Sequence, residues 1–459
     1  MFDNNNLLNL NEEYSFEVKV QDQERTLAGK LFLSPKECTL HVMTERQPSD
    51  EFYNSEVILC STLNKSFTLF GLACNHSSVM YHLTEGEDFN IGFYEYTFHI
   101  QFLIISNGFL NFDDQLINFT FNAPILKKWV GYTKTQNNLI NKIIKNEKIN
   151  TEDLIEFTTH IDNHAQLVLH YELTQHFGGD LFSVGSNFPP KLTINFNSVK
   201  SISELHIELN KIYELMTLII GSDFKIDIIE AQQSGSPFSK SSIYFPTSNR
   251  GKEVDYPLLP LGHDLVNPFF GYEVLPLDYF NNFYNLSDET RTLFTNYLRY
   301  KRMKSNEEKF LGFFRLLEKL TFKSQSYVDE YILKSILTKS RSYLKNRLGC
   351  RTKVIKDFSS RIEGTNRMKY NTLKCLGDFH DTLPIEISNK LIYKKVDLER
   401  IIKLRNDITH ANHYTIDDND LYRFTIFINS LLVLAFINKL KIPYKVCVPI
   451  NLNSFLPHN

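Results

Sequence analysis

At 459 residues the chain has room for two or three domains, each burying its own core. Hydrophobic residues at 42% and charged residues at 22% set aside fibrous and disordered classes and fit an ordinary soluble globular protein. The net charge of −3 argues neither for nor against nucleic acid, but its distribution is uneven. Residues 301–375 hold 19 Lys plus Arg against 7 Asp plus Glu, a balance of +12, so the remainder carries −15. Such asymmetry fits a polyanion-binding module joined to an acidic partner domain, although a solvated basic face would produce the same balance. The six cysteines are scattered, with none at CxxC spacing. Buried thiols in a reducing compartment are expected from that, with no metal site and no cofactor. Residues 1–6 contain neither a basic region nor an apolar signal core. The most apolar segment, Phe424 to Ile437, is interrupted by Asn429 and Ser430 and is too short to span a bilayer. A cytoplasmic protein with no membrane partner is expected.

From Tyr14 to Phe121 the hydrophobic pattern alternates. Tyr14, Phe16, Val18 and Val20 form one face of a first strand. Further strands are predicted at 39–43, 56–60, 66–70, 79–83, 98–105 and 116–121, which suggests an antiparallel sandwich or a related all-β fold. The middle of the chain is mixed. A helix is predicted at 137–149, strands at 165–176, 192–197 and 224–230, and a longer helix at 203–220. Ser201 and Glu204 at capping-box spacing open that helix, and Gly221 closes it. Prolines and glycines between Asn249 and Asp278 mark irregular connecting chain.

Helices take over afterwards. Ser287 caps one with the stripe Leu293, Phe294, Tyr297 and Leu298; Ser305 and Glu308 form a capping box for a second. A third is expected from Ser326 and Asp329 to about Gly349, a fourth over 366–376, and a break at Pro384. A bundle of some four to six helices between Leu286 and Leu440 follows. The fold class is therefore α+β in two parts, a β-rich and mixed α/β region followed by an all-α bundle.

One short stretch organises the C-terminal part: Leu404, Arg405, Asn406, Asp407, Ile408, Thr409, His410, Ala411 and Asn412. It follows an apolar-periodic run opened by Asp397 and precedes a strongly apolar helix, for which Thr415 and Asp418 have capping-box spacing. Arg405 and His410 resemble the Arg-x4-6-His signature of HEPN domains, more narrowly the HEPN module of ApeA-like anti-phage proteins. The strand-helix-strand order after the β-rich start resembles the N-terminal domain of the same proteins, with 118–129 the most similar region. The resemblance places an ApeA-like N-terminal domain at 1–260, an irregular linker at 261–286 and a HEPN domain at 287–459. It implies a metal-independent endoribonuclease acting in abortive infection, with RNA as substrate and Asn406 in support. It implies a homodimer through the HEPN domain, and allows a phage-derived trigger at the N-terminal domain. Glu318 resembles an acidic position on an early HEPN helix, though an intrahelical pair would also account for it.

The chemistry suits these residue types. RNA carries its own nucleophile, the 2′-hydroxyl, so cleavage needs a proton acceptor, a proton donor and a cation on the phosphate. Imidazole performs the proton steps near neutral pH, and the guanidinium fork clamps phosphate oxygens while staying charged. On a regular helix residues five apart diverge by about 140°. Arg405 and His410 therefore require the helix to end near Thr409, or a second copy of the motif. Lys334, Lys339, Arg341, Lys345, Arg347, Arg351 and Lys353 are the candidate RNA-binding residues. His413 lacks acidic or thiol partners at ligand spacing and reads as a surface histidine. The alternative function is a non-catalytic RNA-binding or dimerisation HEPN protein regulated by its N-terminal domain.

Overall fold

The computed structural model describes residues 7–447, apart from 24, 46–47, 49–51, 53, 83–90, 107–114, 178–183, 235–239, 248–253, 255–256, 262–274 and 368–369. It divides into two compact units, Met1–Ser287 and Asp288–Asn459. The two-part α+β class holds: an antiparallel sheet in the first unit, helices alone in the second.

Fourteen strands of the first unit join one hydrogen-bonded sheet, from Ile155–Ile161 at one edge to Ala73–His82 at the other. Every pairing in it is antiparallel, in keeping with the antiparallel all-β arrangement expected from alternation. Alternation reports which side chains share a face and says nothing of whether strands sit in one sheet or two. The strand Arg25–Leu33 escapes a pattern search because Gly29 interrupts it. A Cβ there would lie 2.7 Å from Val20 Cγ2 and 3.0 Å from the His41 carbonyl, so the neighbouring strands demand glycine. The apolar run 98–105 resolves into two strands, Ile91–His99 and Phe102–Ser106.

Among the described residues, four α-helices accompany the sheet. α1 (Pro124–Val130) buries Trp129, whose indole N–H donates to the Leu259 carbonyl at 3.0 Å. α2 is Lys134–Ile144 and begins earlier than its apolar pattern indicated. α3 (Ile202–Ile220) has the predicted Ser201/Glu204 capping box and ends on Gly221 at φ +87°. α4 (Asp278–Tyr284) lies in the stretch expected to be irregular, with the Phe280 ring 6.2 Å from Phe157 and Asn281 bonded to Asp162. Part of that expected linker, 262–274, is outside the described residues.

The second unit holds eight α-helices among the described residues, more than expected. They are α5 (Asp288–Lys301), α6 (Asn306–Thr321), α7 (Glu330–Asn346), α8 (Thr352–Arg367), α9 (Thr372–Asp381), α10 (Ile385–Ser388), α11 (Leu398–Thr409) and α12 (Asp418–Lys439). The fourth predicted helix, over 366–376, is corrected: α8 ends at Arg367 and α9 starts at Thr372. α8 itself was not expected, because its apolar residues Val354 and Phe358 face solvent. The N-cap position of α12 is Asp417, not the expected Thr415, and its side chain makes no capping bond. It is long and apolar enough to cross a membrane, yet 83% of its apolar window is buried inside the unit. Phe436 of α12 packs on Phe294 and Tyr297 of α5, and Tyr297 on Phe313 of α6. Gly312 lets α5 and α6 approach, since a Cβ there would overlap the Tyr300 ring. This aromatic core fixes the face of α6 that carries Glu318.

Candidate functional site

Arg405 lies just before the last turn of α11, and the structure gives its guanidinium three partners. Nη2 donates to Glu318 Oε2 at 2.6 Å, Nη1 donates to Asn406 Oδ1 at 2.9 Å, and the Phe314 ring lies 5.4 Å beneath. Glu318 is itself positioned, because Thr372 Oγ1 donates to its Oε1 at 2.7 Å. The intrahelical pair considered for Glu318 is absent from its hydrogen bonds; its partners come from α9 and α11. Arg405 and Glu318 are each about one-fifth to one-quarter exposed, 24% and 21%. Such a charge-assisted bond in a half-dry site is stronger and stiffer than a surface pair. A guanidinium has five N–H donors. Two are engaged here, by Glu318 and Asn406.

The helix ends at Thr409. His410 is the C-cap residue, φ −94° and ψ 9°. The Ala411 N–H bonds the Ile408 carbonyl, and the Asn412 N–H bonds the Asp407 carbonyl at 2.9 Å. Those two bonds define a Schellman motif with Ala411 in the left-handed position, φ +52°. Asn412 Nδ2 donates to Asp407 Oδ1 at 3.2 Å and fastens the turn further. Beyond it, Tyr414 donates its hydroxyl to Glu307 on α6. His410 thus projects from a turn held at both ends. Its ring is exposed and has no hydrogen-bond partner among the described residues. His413 is exposed likewise, and no group of three metal-ligating side chains occurs among the described residues.

Ala411 bears the cost of that turn. A Cβ in the left-handed region is disfavoured by roughly 1–2 kcal/mol, which glycine avoids. Ala411→Gly is expected to raise stability by about 1 kcal/mol while leaving His410 in place, readable as a higher urea midpoint with an unchanged slope.

The basic residues fall on α7, α8 and the turn between them. Lys334, Lys339 and Lys345 are exposed on α7, Arg347 is at its C-cap, and Arg351 and Lys353 are exposed at the start of α8. Tyr331, Tyr343 and Phe358 stand exposed among them. Arg341 has a structural task as well: its Nε donates to Ser359 Oγ at 3.2 Å and its Nη2 is 3.7 Å from Glu363, tying α7 to α8.

The structure therefore joins Glu318, Arg405 and Asn406 by hydrogen bonds, sets His410 at the adjoining helix end, and puts the basic run on a separate helix pair. Phe314 and Thr372 were missed by sequence reasoning, and no spacing signal links them to Arg405. The whole is a two-part α+β protein whose helical unit presents an oriented arginine and an unencumbered histidine at one helix terminus. A family model described as ApeA N-terminal domain 1 matches residues 13–266, and the chain belongs to that family. This makes it an ApeA-like protein, and the membership suggests a role in anti-phage defence. Neither the curated proteins nor the solved structures contain a match to the chain.

Proposed function

We propose that this protein is a metal-independent endoribonuclease of the HEPN type, acting in abortive infection, with Arg405 and His410 as its catalytic residues. The observation that carries the reading is the Glu318–Arg405–Asn406 cluster on the helix that ends at the exposed His410. An arginine held in advance of substrate loses little freedom when a phosphate arrives, which is what transition-state stabilisation needs. In the reaction, a base takes the 2′-hydroxyl proton and the 2′-oxygen attacks the adjoining phosphorus. The bond to the 5′-oxygen breaks, an acid supplies that oxygen with a proton, and Arg405 neutralises charge on the phosphoryl oxygens. Asn406 and Glu318 orient Arg405. One histidine cannot start as both base and acid, so a homodimer with two motifs at one groove completes the site. The N-terminal sheet unit would sense the trigger, and a cytoplasmic setting suits six unpaired thiols.

The engaged state of Arg405 also suits a second reading, a non-catalytic RNA-binding protein in which the cluster only holds α6, α9 and α11 together. Incubating purified protein with RNA in EDTA separates the two. Fragments that disappear with His410→Ala support the enzyme; intact RNA, from protein active in cells, supports the binder.

Either reading uses the basic helix pair. Reversing Lys334, Lys339, Lys345, Arg347, Arg351 and Lys353 together is expected to weaken RNA binding and flatten its salt dependence, each lost phosphate contact lowering the slope by about 0.7 for a single strand. Arg341 is left intact in this variant because it ties α7 to α8. An unchanged slope would make the face a solvated surface.

A further inference from the structure

A cleft of about 510 Å³ opens against Glu318, the partner of Arg405. Its walls come from the end of α6 (Thr321, Phe322), the approach to α7 (Tyr327), the end of α8 (Thr365) and the start of α9 (Tyr370, Asn371, Thr372, Cys375). The volume is within the range of roughly 300–1,000 Å³ found for small-molecule sites. Three aromatic rings serve it. Phe322 is 59% exposed and Tyr327 45% exposed, although the Tyr327 hydroxyl accepts from the Asn371 backbone N–H at 3.1 Å. Tyr327 and Tyr370 lie 5.0 Å apart at 54°, and the Lys374 ammonium is 5.4 Å from the Tyr370 ring centre. Polar groups alternate with the rings. The Thr372 hydroxyl is bonded to Glu318, the Asn371 side-chain oxygen caps α9 by accepting from the Lys374 N–H, and the Asn371 amide remains as a donor.

Rings for stacking, an acceptor carboxylate and an amide donor are the means by which proteins hold an unpaired nucleobase. The position is equally telling. Glu318 is both a wall of the cleft and the partner of Arg405, so a base in the cleft and a phosphate on Arg405 would have that carboxylate as a common neighbour.

We infer that this cleft is the base-binding subsite of the enzyme, taking the nucleobase next to the scissile phosphate of single-stranded RNA. The inference rests on the ribonuclease reading and deepens it: Phe322, Tyr327 and Tyr370 grip the base, and Asn371 and Glu318 read its edge. A duplex cannot enter, since its bases are stacked and paired. The cut is thereby confined to loops and unpaired segments.

The test uses the full chain and a short single-stranded oligonucleotide with 2′-deoxy sugars, which binds without being cut. Its affinity is followed by fluorescence anisotropy for the wild type, Phe322→Ala, Tyr370→Ala and Tyr370→Phe. Loss of one stacking ring is expected to weaken binding about tenfold in the alanine variants, with Tyr370→Phe close to wild type. The same oligonucleotide in duplex form is expected to bind equally to all four proteins. Phe322→Ala removes an exposed side chain, so its result stands even if Tyr370→Ala unfolds. Wild-type affinity for the single strand in folded Phe322→Ala and Tyr370→Ala would overturn the subsite, even with RNA cleavage intact. Failure of the wild type to cut RNA would instead overturn the ribonuclease reading, while the affinities still decide the subsite.

Discussion

Arg405→Ala is expected to lower RNA cleavage by at least about 10²–10³-fold, the loss typical of removing one preorganised donor from a developing oxyanion. The effect should fall on kcat more than on KM, because the phosphate gains its extra charge only on the way to the phosphorane. Stability will change as well. The substitution leaves Glu318 with Thr372 but without its cation, in a site where only about a fifth of the side chain meets water. Stranding a half-buried carboxylate costs more than losing a surface ion pair. Arg405→Ala is accordingly expected to be less stable than wild type, and Arg405→Ala with Glu318→Gln to recover part of that stability with none of the activity. Equal cleavage by wild type and Arg405→Ala would remove Arg405 from the chemistry and leave it a strut between α6 and α11.

His410→Ala is expected to be the cleaner variant. General acid–base catalysis contributes about 10²–10⁴-fold, and the exposed His410 ring makes no hydrogen bond among the described residues that folding would miss. What the helix end requires of residue 410 is its backbone N–H, bonded to the Asn406 carbonyl at 2.9 Å, and alanine keeps it. Thermal midpoints of the two proteins should coincide while their rates differ by orders of magnitude. Mixing Arg405→Ala with His410→Ala protein then tests the shared groove. If two copies contribute unequal roles, mixed dimers recover activity that neither variant shows alone. Full activity from a monomer at assay concentration would rule out a site shared between copies.

The helix end at this site was legible in the sequence because two residues five apart cannot face one point on a regular helix. The helix does stop at Thr409 with a Schellman turn at Ala411, but that turn follows His410. The His410 N–H still bonds the Asn406 carbonyl as in a helix, so one copy of the motif keeps the two side chains apart. The capping box at Ser201 was legible for a similarly local reason. Glu318 was legible only as a candidate. Its pairing with Arg405 spans 87 positions, and no periodicity within α6 points to α11. The α7–α8 pair was half legible: the basic run stood out, but helix α8 did not, since its apolar residues Val354 and Phe358 are turned outward and break the expected stripe. In the first unit alternation located most strands but not their partners. Partners are chosen by packing between distant segments, as where Gln115–Asn122 lies between Pro190–Ser201 and Ile228–Gln233.

The central claim is that the 2′-hydroxyl of RNA is the nucleophile and that Arg405 and His410 serve its attack. It is tested most directly by one measurement: mass analysis of the ends of a single-stranded RNA after incubation with the full chain in EDTA, beside the same strand carrying one 2′-deoxy sugar at the cleaved position. The account predicts a 2′,3′-cyclic phosphate and a 5′-hydroxyl from the RNA, and no cut at the deoxy position. A 5′-phosphate end, or cleavage of the deoxy strand at a comparable rate, would contradict it.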